Sequence, residues 1–307
     1  MTKVLISDRT HEVLEQRLRK AGMEVSVEPD HDYESLVRAA QGCDGLVVRS
    51  KVVIDRAFID RVPSLRCIGR VGAGMETIDV DYAEAKGIRC LNSPEGNRDA
   101  VGEHTVGLLL ALLNNIARAN AEVRQGLWRR EANRGHELGS LTVGIIGFGN
   151  MGQAFAKRLQ GFGCRIIFYD TKGINAFNGL NGFKDLKTLQ QEADVVSFHV
   201  PLTESTRHYL DDAFIAAMAK PFYLLNTSRG AVVDTEALVR GLESGKVLGA
   251  GLDVMENENM QADALTTINP RLLACNTVLT PHVAGWTVES KYKLAAVLAD
   301  KIIDCLT

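Results

Sequence analysis

The feature that most narrows what this chain can become is an end-to-end alternation of short Val/Ile/Leu runs with amphipathic helical stretches. Runs at Val4–Ser7, Glu24–Val27, Gly45–Arg49, Cys67–Val71 and Arg89–Leu91 read as strands, separated by helical patterns such as His11–Ala21. A second series follows at Thr142–Ile146, Arg165–Tyr169, Val195–Val200, Phe222–Asn226, Leu248–Val254 and Thr277–Thr280. Near-continuous aliphatic strands spaced by helices suit parallel sheets, whose two faces are both covered. Five strands before residue 95 and six after 140 predict an α/β chain of two doubly wound units. At 307 residues the chain is long for one core and comfortable for two. Between the series, Asp99–Leu127 carries Val101, Leu108, Leu109, Leu112, Leu113 and Ile116 at helical spacing. Asp99 is its expected N-cap, and Arg129–Gly139 reads as a loop or arm. A long helix, Val288–Leu306, closes the chain.

Composition removes several function classes. The near-balance of 35 basic and 38 acidic residues argues against a nucleic-acid partner, which calls for a basic excess. The longest aliphatic stretch, Val106–Leu113, falls far short of the roughly 18 residues of a membrane span, so no membrane association is expected. The N-terminus turns acidic at Asp8 after a short apolar run, unlike a signal or anchor segment. Six cysteines (Cys43, Cys67, Cys90, Cys164, Cys275, Cys305) are scattered without a C-x-x-C pair. They read as free thiols in a reducing cytoplasm, with no disulfide scaffold and no metal site.

The strongest local motif is Gly147-Phe148-Gly149-Asn150-Met151-Gly152, between the strand Val143–Ile146 and the helix Gln153–Leu159. In that context the glycines permit a tight turn, close backbone approach to a pyrophosphate and tight helix packing. The helix N-terminus then offers free N–H groups and a positive dipole end. Asp170 closes the next strand, 18 residues beyond Gly152. There it accepts the ribose hydroxyls of NAD and repels the extra phosphate of NADP, or it is a surface turn residue before Lys172.

Ligands of open parallel sheets lie beyond the carboxyl ends of the strands. Polar residues at those ends are Arg49-Ser50, the Gly72-Ala73-Gly74 loop, His199, Asn226 to Arg229, Asp253 and His282, drawn from both series. His282 is the candidate acid/base, since histidine titrates nearest neutrality. Glu258 either orients that imidazole or is an exposed acid of the run Glu256–Asn259, in which Glu256 is the alternative partner. Arg229 lies near a helix start, where the dipole disfavours a cation, and its fork suits a substrate carboxylate. Asp253 accepts from a nicotinamide amide or caps a turn. His11, His31, His136 and His208 read as surface residues, and His104 as a core or interface residue of the long helix.

The chain resembles the D-isomer-specific 2-hydroxyacid dehydrogenases along essentially its whole length. The resemblance rests on Val48-Arg-Ser50, Gly69-Arg-Val-Gly-Ala-Gly74, Gly144 to Gly152, His199-Val-Pro-Leu-Thr203, Asn226-Thr-Ser-Arg-Gly230, Gly251-Leu-Asp-Val254 and Thr280-Pro-His282. It implies two Rossmann-like domains, an NAD-binding domain (97–284) inserted into a substrate-binding domain (1–96, completed by 285–307). It implies Arg229, Glu258 and His282 as the catalytic set, and substrate contacts at Arg49, Ser50, Arg70, Ala73, Gly74, Arg229 and His282. NAD contacts are implied at Gly147, Gly149, Asn150, Met151, Gly152, Asp170, His199, Pro201, Thr227 and Asp253. A homodimer through the coenzyme domain is implied as well. Phosphoglycerate dehydrogenases match best, sharing Arg49 and Arg70, which with Lys51 would form a phosphate pocket. The implied reaction is hydride transfer between NAD and C2 of a D-2-hydroxy acid, D-3-phosphoglycerate in serine biosynthesis. The alternatives are a glyoxylate or hydroxypyruvate reductase and a non-catalytic NADH-sensing corepressor-like protein. Asn259, Trp286 and Glu76 depart from the usual family residues.

Overall fold

The computed structural model describes residues 1–172, 182–258 and 268–307. The chain divides into two compact units, Met1–Arg98 with Trp286–Thr307, and Asp99–Gly285. Asn259 lies outside the described residues.

Among the described residues the first unit has a five-stranded sheet: β1 (Lys3–Ile6), β2 (Glu24–Val27), β3 (Gly45–Val48), β4 (Cys67–Arg70) and β5 (Arg89–Asn92). Every pairing is parallel, in the order β2-β1-β3-β4-β5. Side chains alternate between faces, so Val4, Ile6 and Val47 meet one core while Leu5, Leu46 and Val48 meet the other. The closing helix Val288–Leu306 covers the first face with Leu298, Ile302 and Leu306. A capping box at Thr287 and Ser290 fixes its start.

The second unit holds β6 (Thr142–Ile146), β7 (Arg165–Tyr169), β8 (Val195–Phe198), β9 (Phe222–Asn226), β10 (Val247–Leu252) and β11 (Thr277–Leu279). These strands pair in parallel in the order β11-β10-β9-β8-β6-β7. A single-residue parallel bridge from Phe168 to Phe183 extends the sheet past β7. Counted as a strand, it gives the order 3-2-1-4-5-6-7, the 3-2-1-4-5-6 arrangement of dinucleotide-binding sheets with β11 added at its far edge. The sequence pattern does not show it, because one residue carries no periodicity. Ile146, Val196, Phe198 and Leu252 line one core of this unit, and Val143, Ile145, Val195 and Leu225 the other. Leu108, Leu109, Leu112 and Leu113 of the helix Arg98–Leu113 cover the second face.

The long helix expected over Asp99–Leu127 is two helices, Arg98–Leu113 and Ile116–Arg124, bent by 61°. Asn115 takes the left-handed conformation at the break (φ 52°), which asparagine tolerates better than most residues. Asp99 lies inside the first turn rather than capping it, and its carboxylate receives the Arg158 guanidinium at 3.0 Å. No single helix among the described residues is long and apolar enough to cross a membrane.

Register sets up the site. Ile146, Phe198, Asn226, Leu252 and Leu279 align across the second sheet, with Tyr169 opposite Ile146. The next residue of each strand therefore falls in one row along the carboxyl edge: Asp170, Gly147, His199, Thr227, Asp253 and Thr280.

Leu298 is fully buried between the closing helix and the first sheet. Leu298→Ala is expected to destabilise that unit by about 2–5 kcal/mol, read from the midpoint of its urea transition.

Candidate active site

At the end of β6 the chain reverses through Gly147 in a left-handed conformation (φ 86°). A Cβ there would lie 2.5 Å from the His199 carbonyl. A Cβ on Gly152 would overlap the Gly147 carbonyl, so the helix Asn150–Leu159 approaches the turn closely only with glycine. Phe148 turns its ring into the core and stacks on Phe168 with centroids 3.7 Å apart. Its backbone N–H donates to Asp170 Oδ2 at 2.7 Å, and the Lys172 N–H donates to Oδ1 at 2.8 Å. Space is open above Gly149, the N-cap, and no side chain caps the helix there. Asn150 and Met151 are half-buried in its first turn. Open room over uncapped N–H donors, beside a carboxylate held by two backbone bonds, fits a dinucleotide. The glycine turn can take its pyrophosphate and Asp170 its ribose.

His199 follows β8. Its Nε2 lies 2.9 Å from Ser197 Oγ, while Nδ1 is buried without a hydrogen-bond partner. Burial pushes its pKa down to about 3, so the ring is neutral at physiological pH. An orphaned buried nitrogen beside the glycine turn is a further polar point for a bound ligand. Pro201 is exposed, with its carbonyl accepting from Thr206. Thr227 is buried, its hydroxyl 3.2 Å from that of Thr105.

The turn after β9 is tied by the buried Asn226 side chain. Its Oδ1 accepts from the Ser228 N–H and hydroxyl, and its Nδ2 donates to the Arg229 carbonyl at 2.9 Å. This local Asx arrangement sets the direction in which half-buried Arg229 leaves the strand. A Cβ at Gly230 would overlap the Met255 carbonyl, so the Arg229 turn rests directly on the segment leading to Glu258. Glu258 Oε1 lies 2.8 Å from His282 Nδ1. Glu256 is committed elsewhere, with Oε1 at 2.6 Å from His208 Nε2 and Oε2 accepting from the Thr235 hydroxyl and N–H. Burial pushes the Glu256 carboxyl up, but those bonds outweigh it and hold the group below the usual range. His208, read from sequence as a surface residue, is partly exposed and hydrogen-bonded to Glu256.

Asp253 is 1% exposed. Its Oδ1 accepts from Thr280 Oγ1 at 2.5 Å and the Val283 N–H at 2.9 Å, and its Oδ2 from the Ala284 N–H at 2.8 Å. Its carbonyl accepts from the His282 N–H at 2.7 Å. His104 Nε2 is 3.0 Å from Thr280 Oγ1. The helical pattern places His104 on the long helix, but only the fold brings it to a strand end.

The first unit has its own cluster at the switch point between β1 and β3. The Arg49 N–H donates to Asp8 Oδ2 at 2.7 Å, and Arg70 Nε donates to the Arg49 carbonyl at 3.4 Å. The Arg49 guanidinium lies 5.4 Å from the ring centroid of Trp286, which is 72% exposed. The Ala73 carbonyl accepts from Asn92, beside half-buried Gly74, and Ser50 is exposed. Lys51, expected beside these arginines, is paired with Asp30 at 3.0 Å in an exposed contact. Among the described residues no group of three or more His, Cys, Asp or Glu side chains could hold a metal ion.

Residues 106–284 match the D-isomer specific 2-hydroxyacid dehydrogenase NAD binding domain. Hydroxypyruvate reductase of Thermotoga maritima is 40% identical over 281 residues, covering 91% of this chain and 90% of that one. D-3-phosphoglycerate dehydrogenase of Methanocaldococcus jannaschii is 36% identical over 305 residues, 98% of this chain and 57% of that one. The crystal structure of D-lactate dehydrogenase from Aquifex aeolicus, complexed with NAD and lactic acid, superposes with a TM-score of 0.81. That match has 28% identity and covers 97% of this chain and 94% of the other.

Gly152→Ala inserts a methyl group against the Gly147 carbonyl. NADH affinity, followed by fluorescence titration, is expected to fall by at least about tenfold as the turn and helix separate.

Proposed function

Because this chain belongs to the D-isomer specific 2-hydroxyacid dehydrogenase family, we propose that Arg229, Glu258 and His282 carry its reaction, and that its substrate is D-3-phosphoglycerate. The chain is an NAD-dependent D-2-hydroxyacid dehydrogenase. In this reading the Asp99–Gly285 unit is the coenzyme domain and the other unit the substrate domain.

The observation that carries the mechanism is the 2.8 Å contact between Glu258 and His282. An ionised carboxylate only accepts, so the imidazole proton sits on Nδ1 and Nε2 is the nitrogen that exchanges one with substrate. In the oxidative direction, Nε2 takes the proton of the C2 hydroxyl. Glu258 then faces an imidazolium, and its stabilising effect grows along the reaction. Arg229 grips the substrate carboxylate with its fork and aligns the C2 oxygen with His282. NAD, which the Gly147–Gly152 turn and Asp170 would hold, would supply the acceptor for the C2 hydride. In reduction each proton movement reverses.

The substrate assignment rests on Arg49 and Arg70, adjacent at the carboxyl edge of the first sheet, where ligands of such sheets bind. The competing reading is reduction of unphosphorylated hydroxypyruvate or glyoxylate. It is favoured by the Asp30 partner that Lys51 already has and by likeness to a hydroxypyruvate reductase over nearly its full length. We also propose a homodimer through the coenzyme domain, for which exposed Ile116, Val123 and Trp128 supply apolar surface. The six free cysteines suit a reducing cytoplasmic setting.

His282→Ala is expected to lower turnover by at least about 100-fold while NADH binding, titrated separately, stays nearly intact. Normal turnover in that variant would remove His282 from the mechanism. For the substrate, NADH oxidation with 3-phosphohydroxypyruvate is compared with hydroxypyruvate at equal concentration. The phosphorylated acid is expected to win, and an Arg49→Gln/Arg70→Gln double variant to raise its KM by at least about tenfold without affecting hydroxypyruvate. Preference for hydroxypyruvate in the wild type would select the reductase reading.

A further inference from the structure

Beside Arg229, Glu258 and His282 the same unit brings together Thr280, His104 and Asp253, of which only Asp253 has an implied role, as an NAD contact. Thr280 bridges the other two, lying 2.5 Å from Asp253 Oδ1 and 3.0 Å from His104 Nε2. Proton counting fixes the direction of this chain. The Asp253 carboxylate accepts only, so the single hydroxyl proton of Thr280 goes to it, and the hydroxyl oxygen takes the Nε2 proton of His104. His104 Nε2 is also 3.5 Å from Asp253 Oδ1 itself. The same carboxylate accepts from the N–H groups of Val283 and Ala284, the two residues that follow His282.

The backbone of His282 is what these bonds hold. It is left-handed (φ 54°), a conformation an L side chain rarely adopts, and its N–H donates to the Asp253 carbonyl. Strain of this kind persists only where surrounding contacts over-determine it. We propose that Thr280 and His104 are positioning residues: acting through the Asp253 carboxylate, they lock the Thr280–Ala284 turn and so set the position from which His282 exchanges its proton. This rests on His282 being the proton carrier. His104 reaches the turn from the helix Arg98–Leu113, a rigid element, which makes the turn independent of local loop preferences.

The test uses full-length Thr280→Val, Thr280→Ser, His104→Leu and His104→Gln, each measured for kcat, KM and NADH affinity, with His282→Ala as reference. Thr280→Val is expected to lower kcat by about 10–100-fold, as for a proton carrier displaced by about 1 Å, with KM and NADH affinity unchanged. Thr280→Ser restores the hydroxyl and is expected to recover most of the loss. His104→Leu is expected to lower kcat by a smaller factor, which the amide donor of His104→Gln recovers. It tests the proposal independently should Thr280→Val fail to fold. Unchanged kcat in Thr280→Val or, failing that variant, in His104→Leu overturns the proposal. Loss of NADH affinity instead of kcat also overturns it, by assigning the cluster to the cofactor. Full activity in His282→Ala would strike the underlying reading itself, a failure distinguishable from either.

Discussion

The parallel register of the second sheet is the constraint on which the site depends. Backbone pairing aligns Tyr169, Ile146, Phe198, Asn226, Leu252 and Leu279, all on strands whose direction is the same. Each strand then delivers its next residue to one edge, and that row contains Asp170, Gly147, His199, Thr227, Asp253 and Thr280. A shift of one residue in any strand would exchange its two side-chain faces and remove one member of the row. The buried aliphatic alternation resists such a shift, because Ile145 and Ile146, or Leu224 and Leu225, serve opposite cores. Core packing and site geometry are in this sense one specification.

Turns convert that row into chemistry. Each departs from its strand under control of a local device: a left-handed glycine at Gly147, the Asn226 side chain before Arg229, and the Asp253 carboxylate before His282. A fully buried carboxylate is costly unless its acceptors are filled. Asp253 meets that requirement with three donors from the Thr280–Ala284 segment. The segment therefore has little freedom to move away from the strand, and His282 inherits its rigidity.

Much of this was legible in the residues alone. Near-continuous aliphatic runs and helical spacing disclose both sheets, the rule that ligands bind beyond strand ends picks out His199, Thr227 and Asp253, and the glycine motif adds Gly147 and Asp170. What was not legible depends on partners distant in sequence. Glu256 and Glu258 share one polar run, and nothing local separates them. The distinction comes from His208 and Thr235, which engage Glu256 and leave Glu258 to face His282. Likewise His104 has the surroundings of a core helix, and only tertiary packing carries it 176 positions along the chain to Thr280. The break at Asn115 was masked by apolar spacing that continues through Ile116, although Ile116 is exposed.

The first unit shows how a cation can be held ready without being neutralised. Lys51 has a carboxylate partner in Asp30, so an arriving anion must displace an existing ion pair to recruit it. Arg49 lies instead over the face of Trp286, while its backbone N–H is anchored by Asp8. A cation–π contact at an exposed site contributes only about 0.5–1 kcal/mol, well below a charge-assisted bidentate bond to an anion. The stack restricts the rotamers of a long side chain yet leaves its full charge unspent. Trp286, a departure from the usual family residue, thus acts on the same arginine that the substrate assignment depends on. A contact of that size biases the Arg49 side chain towards the indole face without pairing its charge.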